Sequence, residues 1–496
     1  MRASPLRSIL LAASLATLGS AAADAQALVS LSPEMHWRHI GPYRGGRGRA
    51  ATGVASAPST FYITYDNGGV WRSTDFGSSW VPLFDNQSTG SIGAIAVAPS
   101  KPNILYVGSG AGIIRPDLAT GDGVYKSVDA GTTWTNLGLH DTQMIGYVDV
   151  DPKNPDRVFV AALGHPYGPN AERGIFRTTN GGQSFEKVLY KDEYTSANDV
   201  RIDPSNPNTV YAALWQQQQS FIEGQGFGGA GGGVYKSMDG GTTWKQLTNG
   251  LSGVIEANLA IAPSNTKVLY ATVAVATATN SVNGVVNLYK SIDAGESWTQ
   301  VTPAAPRAAD TRPLGRIGGG DLPTIVVDPK NENVIYTAST VMWRSEDGGL
   351  TWTAVRGSPG GDDYQRIWIN PDNPNILLVI SDQGGTVSSN RGLSWSSWYT
   401  QPTAAMYHVS TDNAFPYRVC SGQQDSGSAC VESWSPDGEI TFHDWHPVNL
   451  QEYGIAAADP DDPDKVYASA RTNVSLYDRK TSQTGFVGPD MSVKGP

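Results

Sequence analysis

The stretch Ser127-Val128-Asp129-Ala130-Gly131-Thr132-Thr133-Trp134 recurs along the chain, and its spacing decides the fold. The same order returns as Ser73–Trp80, Ser237–Trp244, Ser291–Trp298 and Ser345–Trp352. Two weaker copies keep the outline: Thr178–Phe185, with Asn180 for Asp and Phe185 for Trp, and Ser388–Trp395, with Asn390 for Asp. The acidic or amide position therefore falls at Asp75, Asp129, Asn180, Asp239, Asp293, Asp347 and Asn390, at intervals of 43 to 59 residues. A repeat on the order of 40–50 residues is that of a four-stranded propeller blade.

Each box has a physical job. The carboxylate can accept backbone N–H groups of its own turn, and the glycine two residues on supplies a positive φ. The closing aromatic can pack between sheets. The seven box positions are thus expected to be structural rather than catalytic.

A second motif runs in step: an apolar strand, a turn rich in Pro, Asp and Asn, and another apolar strand, as in Val148–Ala161 (VDVDPKNPDRVFVA) and Ile325–Ala338 (IVVDPKNENVIYTA). Period-two Val, Ile and Tyr around such turns read as hairpins. A third strand follows (GVYKS, GIFRT, VMWRS), and the box turns it into a fourth; the strands are called A to D in each unit. Blade-like segments continue after Trp395, giving nine units.

The expected fold is therefore all-β, a β-propeller of four-stranded blades. Residues 36–400 are read as seven blades, and 401–496 as further blade-like units, the incomplete start of a second propeller. The alternative is one larger ring of nine to ten blades. On the first reading the chain is expected to be part of a longer protein.

Residues 1–25 read as a secretory signal, with Arg2 and Arg7 before the apolar Ile9–Gly19 and a small-residue cleavage site around Ala21–Ala25. A buried core helix is the other reading of that stretch. A secreted or periplasmic location follows from the first. There Cys420 and Cys430, the two cysteines of the chain, could pair across a Gly/Ser-rich turn, or remain as two half-buried thiols. A net charge of −11 disfavours nucleic acid as a partner, and no apolar run is long enough for a membrane span. No cofactor and no metal are expected: His443-Asp444-Trp445-His446 has no second ligand cluster, and there is no phosphate-binding loop.

The A–B turns and the boxes are uniform, whereas the B–C loops vary, which points to the face opposite the boxes as the functional one. That face holds Asp66 in a tight loop of the first unit and Asp425 between the two cysteines. It also holds His165, Tyr167, Trp215 and Phe221 in the loops of the third and fourth units, and Arg44 and Arg47 in the glycine-rich Gly41–Arg49. Each of these could equally be a turn cap, a solvated cation or a packing residue.

With the boxes and these two Asp loops in view, the chain resembles secreted Asp-box (BNR-repeat) propellers, in particular xyloglucan-degrading glycoside hydrolases and the sortilin N-terminal domain. In the xyloglucanases one catalytic Asp lies in an early Asp-x-Gly-Gly segment and the other in a Ser-Gly-x-x-Asp-x-Gly-like segment opening a second propeller. Here Asp66-Asn67-Gly68-Gly69 and Ser421-Gly422-Gln423-Gln424-Asp425-Ser426-Gly427 occupy comparable places. The resemblance implies Asp66 as general base and Asp425 as general acid of an inverting hydrolysis, which places the carboxyls roughly 6.5–9.5 Å apart. It also implies a polysaccharide partner, with His165, Tyr167, Trp215, Arg44 and Arg47 as substrate-binding candidates. Gln423-Gln424 departs from the enzyme pattern. The alternative is a non-catalytic, sortilin-like propeller binding a peptide or protein. A sialidase reading ranks third, for want of an arginine cluster around a carboxylate.

Overall fold

Nine antiparallel sheets follow one another along the chain, eight of four strands and the seventh of three. The computed structural model describes residues 38–113, 119–165, 167–218, 227–301, 314–315, 322–469 and 473–488. Residues 1–25, read as a secretory signal, and Phe221 lie outside them. All nine sheets belong to one unit, Gly41–Pro496, separate from Met1–Ile40.

The first sheet shows the plan: Gly48–Val54, Ala57–Tyr65, Val70–Ser73 and Val81–Pro82, each strand paired with the next. Strands B are apolar on both faces because each sheet is covered on both sides, as in Val158–Ala162, where every residue is buried. The A–B turns close as expected: Asp151 Oδ1 accepts the N–H groups of Lys153 (2.8 Å) and Asn154 (3.3 Å), and Oδ2 pairs with Arg157 at 2.7 Å.

Each box folds the same way. Ser127 Oγ donates to Asp129 Oδ1 (2.8 Å) and accepts from Gly131 N (2.8 Å). Asp129 then accepts from Thr133 N (2.9 Å) and Thr133 Oγ1 (2.6 Å). Where Asn replaces Asp, the amide keeps the net: Asn180 Nδ2 donates to Ser184 Oγ (2.9 Å) and Asn390 Nδ2 to Ser394 Oγ (2.8 Å).

The aromatic that ends each box enters the interface with the preceding sheet. Trp134 joins the core between the first and second sheets, Phe185 that between the second and third, and Trp244 that between the third and fourth. Trp298, Trp352 and Trp395 continue the series to the seventh. Trp80, from the first box, packs with Phe61, Ile63 and Tyr65 against Ile376, Leu378 and Ile380 of the seventh sheet. The seven interfaces therefore form a closed cycle. The eighth and ninth sheets share a separate core around Cys420, Cys430, Val448, Leu450 and Val466.

Two of the variable B–C connections, those of the fourth and fifth sheets, are largely strand. In the fourth sheet Val210–Gln218 pairs with Phe227–Ser237 out to Gln218 opposite Phe227. In the fifth, Leu269–Thr277 pairs with Asn280–Ser291 out to Thr277 opposite Asn280. In the fifth sheet Val273 and Val275 alternate at period two and Val285-Val286 add further β-branched residues, which favours extension of the hairpin. Cys420 and Cys430 face each other across the eighth sheet and are joined in a disulfide.

Two outcomes are expected. Trp80→Ala should cost about 3–5 kcal/mol in chemical unfolding, comparable to Trp352→Ala, because both side chains are buried between sheets. Hydrogen bonds from Thr133, side chain then backbone, hold the Asp129 carboxyl down to about 2. The stability it contributes is complete above the ordinary carboxylate range and lost as pH falls toward 2, so Asp129→Asn should flatten the acid limb of a Tm-against-pH profile.

Candidate functional site

Three B–C hairpins carry an aspartate at their tips. Asp66 lies between Ala57–Tyr65 and Val70–Ser73, Asp382 between Leu377–Ser381 and Gly384–Ser388, and Asp425 between Arg418–Gln423 and Gly427–Glu432. Closure of the first sheet on the seventh brings the first two together. Gln401 stitches that seam: it accepts from Tyr65 OH (2.5 Å) and Gly385 N (2.8 Å) and donates to Gly385 O (2.7 Å). Gly45 is required there, since at φ +69° a Cβ would stand 2.0 Å from Gln383 O.

Asp66 is 3% exposed and sits between two arginines, with Oδ2 at 3.5 Å from Arg47 Nε and Oδ1 at 3.5 Å from Arg49 Nε. Arg47 Nε also stands 3.7 Å from Asp382 Oδ2, and its Nη2 donates to Gln424 Oε1 at 2.7 Å. Gln424 Nε2 in turn donates to Asp382 Oδ2 (3.0 Å) and Asp425 Oδ2 (2.7 Å). One polar chain thus runs Asp66–Arg47–Asp382–Gln424–Asp425, with the Tyr407 hydroxyl donating to Gln424 Oε1 at its centre.

Asp425 is exposed and adopts a positive φ of 46°, which aspartate tolerates in a tight turn. Arg44 pins that turn by donating to Ser426 O (3.2 Å) and Ser428 O (3.1 Å). Two more acids, Asp362 and Asp363, arrive from the link into the seventh sheet. Burial raises the Asp362 carboxyl, and the charge of Asp425 raises it further, against a lowering hydrogen bond from Gln383. Burial holds Asp382 well above the usual carboxylate range; Arg47 opposes this, and Asp363, Asp425 and Asp66 reinforce it.

Residues of this chain of contacts border two openings. Asp66, Arg47, Tyr65, Tyr407 and Gln424 line a cleft of about 350 Å³. Asp425, Arg44, Asp362, Gln383 and Tyr399 line another of about 300 Å³. Asp363, Asp382 and Asp425 each bring a carboxylate oxygen within 4.8 Å of the others, a set that could face a cation, although Arg47 already stands beside Asp382.

The remaining candidates lie elsewhere, in the third and fourth sheets. Trp215, a substrate-binding candidate, packs against Ile113, Met144 and Leu163 on one side and Ile255 and Leu322 on the other. Tyr167 is exposed, and His165 accepts at its carbonyl from buried Arg173 (3.3 Å). None of the three lines either cleft. Sequence reasoning missed Asp382, although Ser381-Asp382-Gln383-Gly384 repeats the order and blade position of Tyr65-Asp66-Asn67-Gly68.

A family model described as "Sortilin, neurotensin receptor 3" matches residues 122–271, from the second to the fifth sheet. Xyloglucanase Xgh74A of Acetivibrio thermocellus is 23% identical over 356 residues, covering 63% of this chain and 39% of its own length. A xyloglucanase of a Paenibacillus species is 24% identical over 379 residues, covering 70% and 35%. The chain thus spans less than half the length of these curated relatives. Among solved structures, the GH74 enzyme of Niastella koreensis superposes with a TM-score of 0.57 at 19% identity, covering 90% of this chain and 73% of that one. An ancestral GH74 enzyme gives a TM-score of 0.52 at 18% identity, covering 90% and 69%. The chain is thus an all-β propeller that resembles xyloglucanases in sequence and fold, and its residues 122–271 match the sortilin family model.

The two buried acids should respond differently to amide substitution. Asp66→Asn takes a carboxylate from between Arg47 and Arg49 and should cost about 3–5 kcal/mol. For Asp382, whose folded-state value is raised, stability falls as pH climbs above the unfolded carboxylate range. Asp382→Asn should therefore flatten the decline in Tm above about pH 4, read by calorimetry across pH.

Proposed function

We propose that the chain binds and hydrolyses a xyloglucan-like polysaccharide with inversion, Asp66 serving as general base and Asp425 as general acid. The observation that carries this reading is the polar chain from Asp66 through Arg47, Asp382 and Gln424 to Asp425. Asp66 faces the larger cleft, where a water could sit, and the charges of Arg47 and Arg49 favour the carboxylate that a base requires. Asp425 is exposed beside Asp363 and Asp382 and lines the neighbouring cleft with Asp362, where it could reach a glycosidic oxygen. Tyr65 and Tyr407 line the Asp66 cleft and offer apolar faces to a sugar ring.

In this reading residues 36–400 form a seven-bladed propeller and 401–496 begin a second one, with the seam between them as the substrate cleft. Residues 1–25 direct export, and the disulfide suits the oxidising compartment reached. Arg44 acts by fixing the Asp425 turn, while His165 and Tyr167 would meet only distant sugar units.

The sortilin match over residues 122–271 favours a second reading, in which the B–C face binds a peptide or protein without catalysis. The two are separated by reducing-sugar release from a polysaccharide panel that includes xyloglucan. Hydrolysis should fall by about 10³-fold or more in Asp66→Ala and Asp425→Ala, as expected for loss of an acid or base together with its positioning. No release from any polysaccharide, or release unaffected by both substitutions, would reject the hydrolase reading.

A further inference from the structure

A third cavity is lined by A strands of six of the seven sheets of the cycle and shares no residue with either cleft. It has a volume of about 200 Å³ and is walled by the A strands, including Ala50–Thr52, Gly146–Val150 and Arg366–Trp368. Two arginines enter it and meet on one aromatic ring: the Arg201 guanidinium is 3.9 Å and the Arg366 guanidinium 5.4 Å from the centre of Tyr147. They differ in their partners. Arg201 is neutralised by Asp199, with Nε 2.8 Å from Oδ1. Arg366 has no carboxylate within 4.0 Å among the described residues; its Nη2 donates to Gly146 O (3.1 Å) and its Nη1 to Gln365 O (3.4 Å).

Carbonyl oxygens orient a guanidinium but carry no net charge, so Arg366 remains a half-buried cation on the wall of the cavity. A confined charge is costly without a counter-charge. Burial disfavours its charge most; Asp199 and then Tyr147 favour it from a distance, while Arg201 and Arg49 repel it. Asp149 also lines the cavity and accepts from Ile202 N (2.8 Å); burial pushes its carboxyl up to about 7, so it offers less than a full counter-charge near neutrality. A guanidinium has five N–H donors in a planar fork, and the two carbonyls leave donors over for a further acceptor.

We propose that this cavity binds a small oxyanion, of the size of phosphate or sulfate, on the guanidinium of Arg366. The planar fork suits an oxyanion with two oxygens, which chloride cannot match. The site is independent of any hydrolysis at Asp66 and Asp425.

The test is a thermal-shift titration of the full chain with sodium phosphate and sodium sulfate, at ionic strength held constant with sodium chloride. Tm should rise saturably by several degrees with at least one oxyanion. Arg366→Gln should abolish the rise, and its Tm without oxyanion should equal or exceed that of the unaltered chain. Arg366→Lys, which keeps the charge but loses the fork, should weaken the apparent affinity about tenfold or more. A response that is absent in the unaltered chain, or undiminished in the variants, would overturn the proposal. Should the variants not fold, crystals of the unaltered chain soaked in selenate decide: an anomalous peak against Arg366 supports the site, and a cavity without one rejects it.

Discussion

Trp80 of the first box packs with Phe61, Ile63 and Tyr65 against Ile376, Leu378 and Ile380, and this contact joins the first sheet of the cycle to the seventh. Each other box aromatic packs backward on the sheet preceding it in sequence. For the first box the preceding sheet is the one formed last, so the same local rule closes the cycle. The consequence is chemical as well as mechanical. Residues more than 300 positions apart in sequence, Asp66 and Asp382, come to share one arginine.

That arginine organises the candidate site. Arg47 reaches Asp66, Asp382 and Gln424 from the glycine-rich segment before the first strand, where Gly45 permits close approach to the seventh hairpin. The result divides the acids by environment. Asp66 lies between guanidinium groups, whereas Asp382 is held well above the usual carboxylate range by burial. Arg44, from the same segment, fixes the Asp425 turn. A short stretch of chain therefore couples the cycle to the eighth sheet.

Much of the fold was legible because it repeats. The boxes set the period, and their Ser, Asp, Gly and Thr/Ser positions correspond one by one to the hydrogen bonds that form. Local chemistry also explains why Asn180 and Asn390 are tolerated. The hairpins of the fourth and fifth sheets were less legible, since glycines and asparagines interrupt their apolar residues. Asp66 and Asp425 stood out by their glycine-flanked turns. Asp382 did not, because its role depends on a neighbour supplied by closure, and Gln424 looked like a departure from an enzyme pattern before it was seen bridging two carboxylates. Trp215 illustrates the converse: a large aromatic in a variable segment, taken into the packing by two neighbouring sheets.

The central functional claim is that the seam between the first, seventh and eighth sheets is where sugar binds. Its most direct test is a crystal structure of the chain, with Asp425→Asn to block turnover, soaked with a xyloglucan oligosaccharide. Sugar density is expected from the cleft lined by Asp66, Tyr65 and Tyr407 to the neighbouring one lined by residue 425, with a glycosidic oxygen directed toward residue 425. Sugar bound only at the loops of His165 and Tyr167, or an empty seam at saturating oligosaccharide, would contradict it.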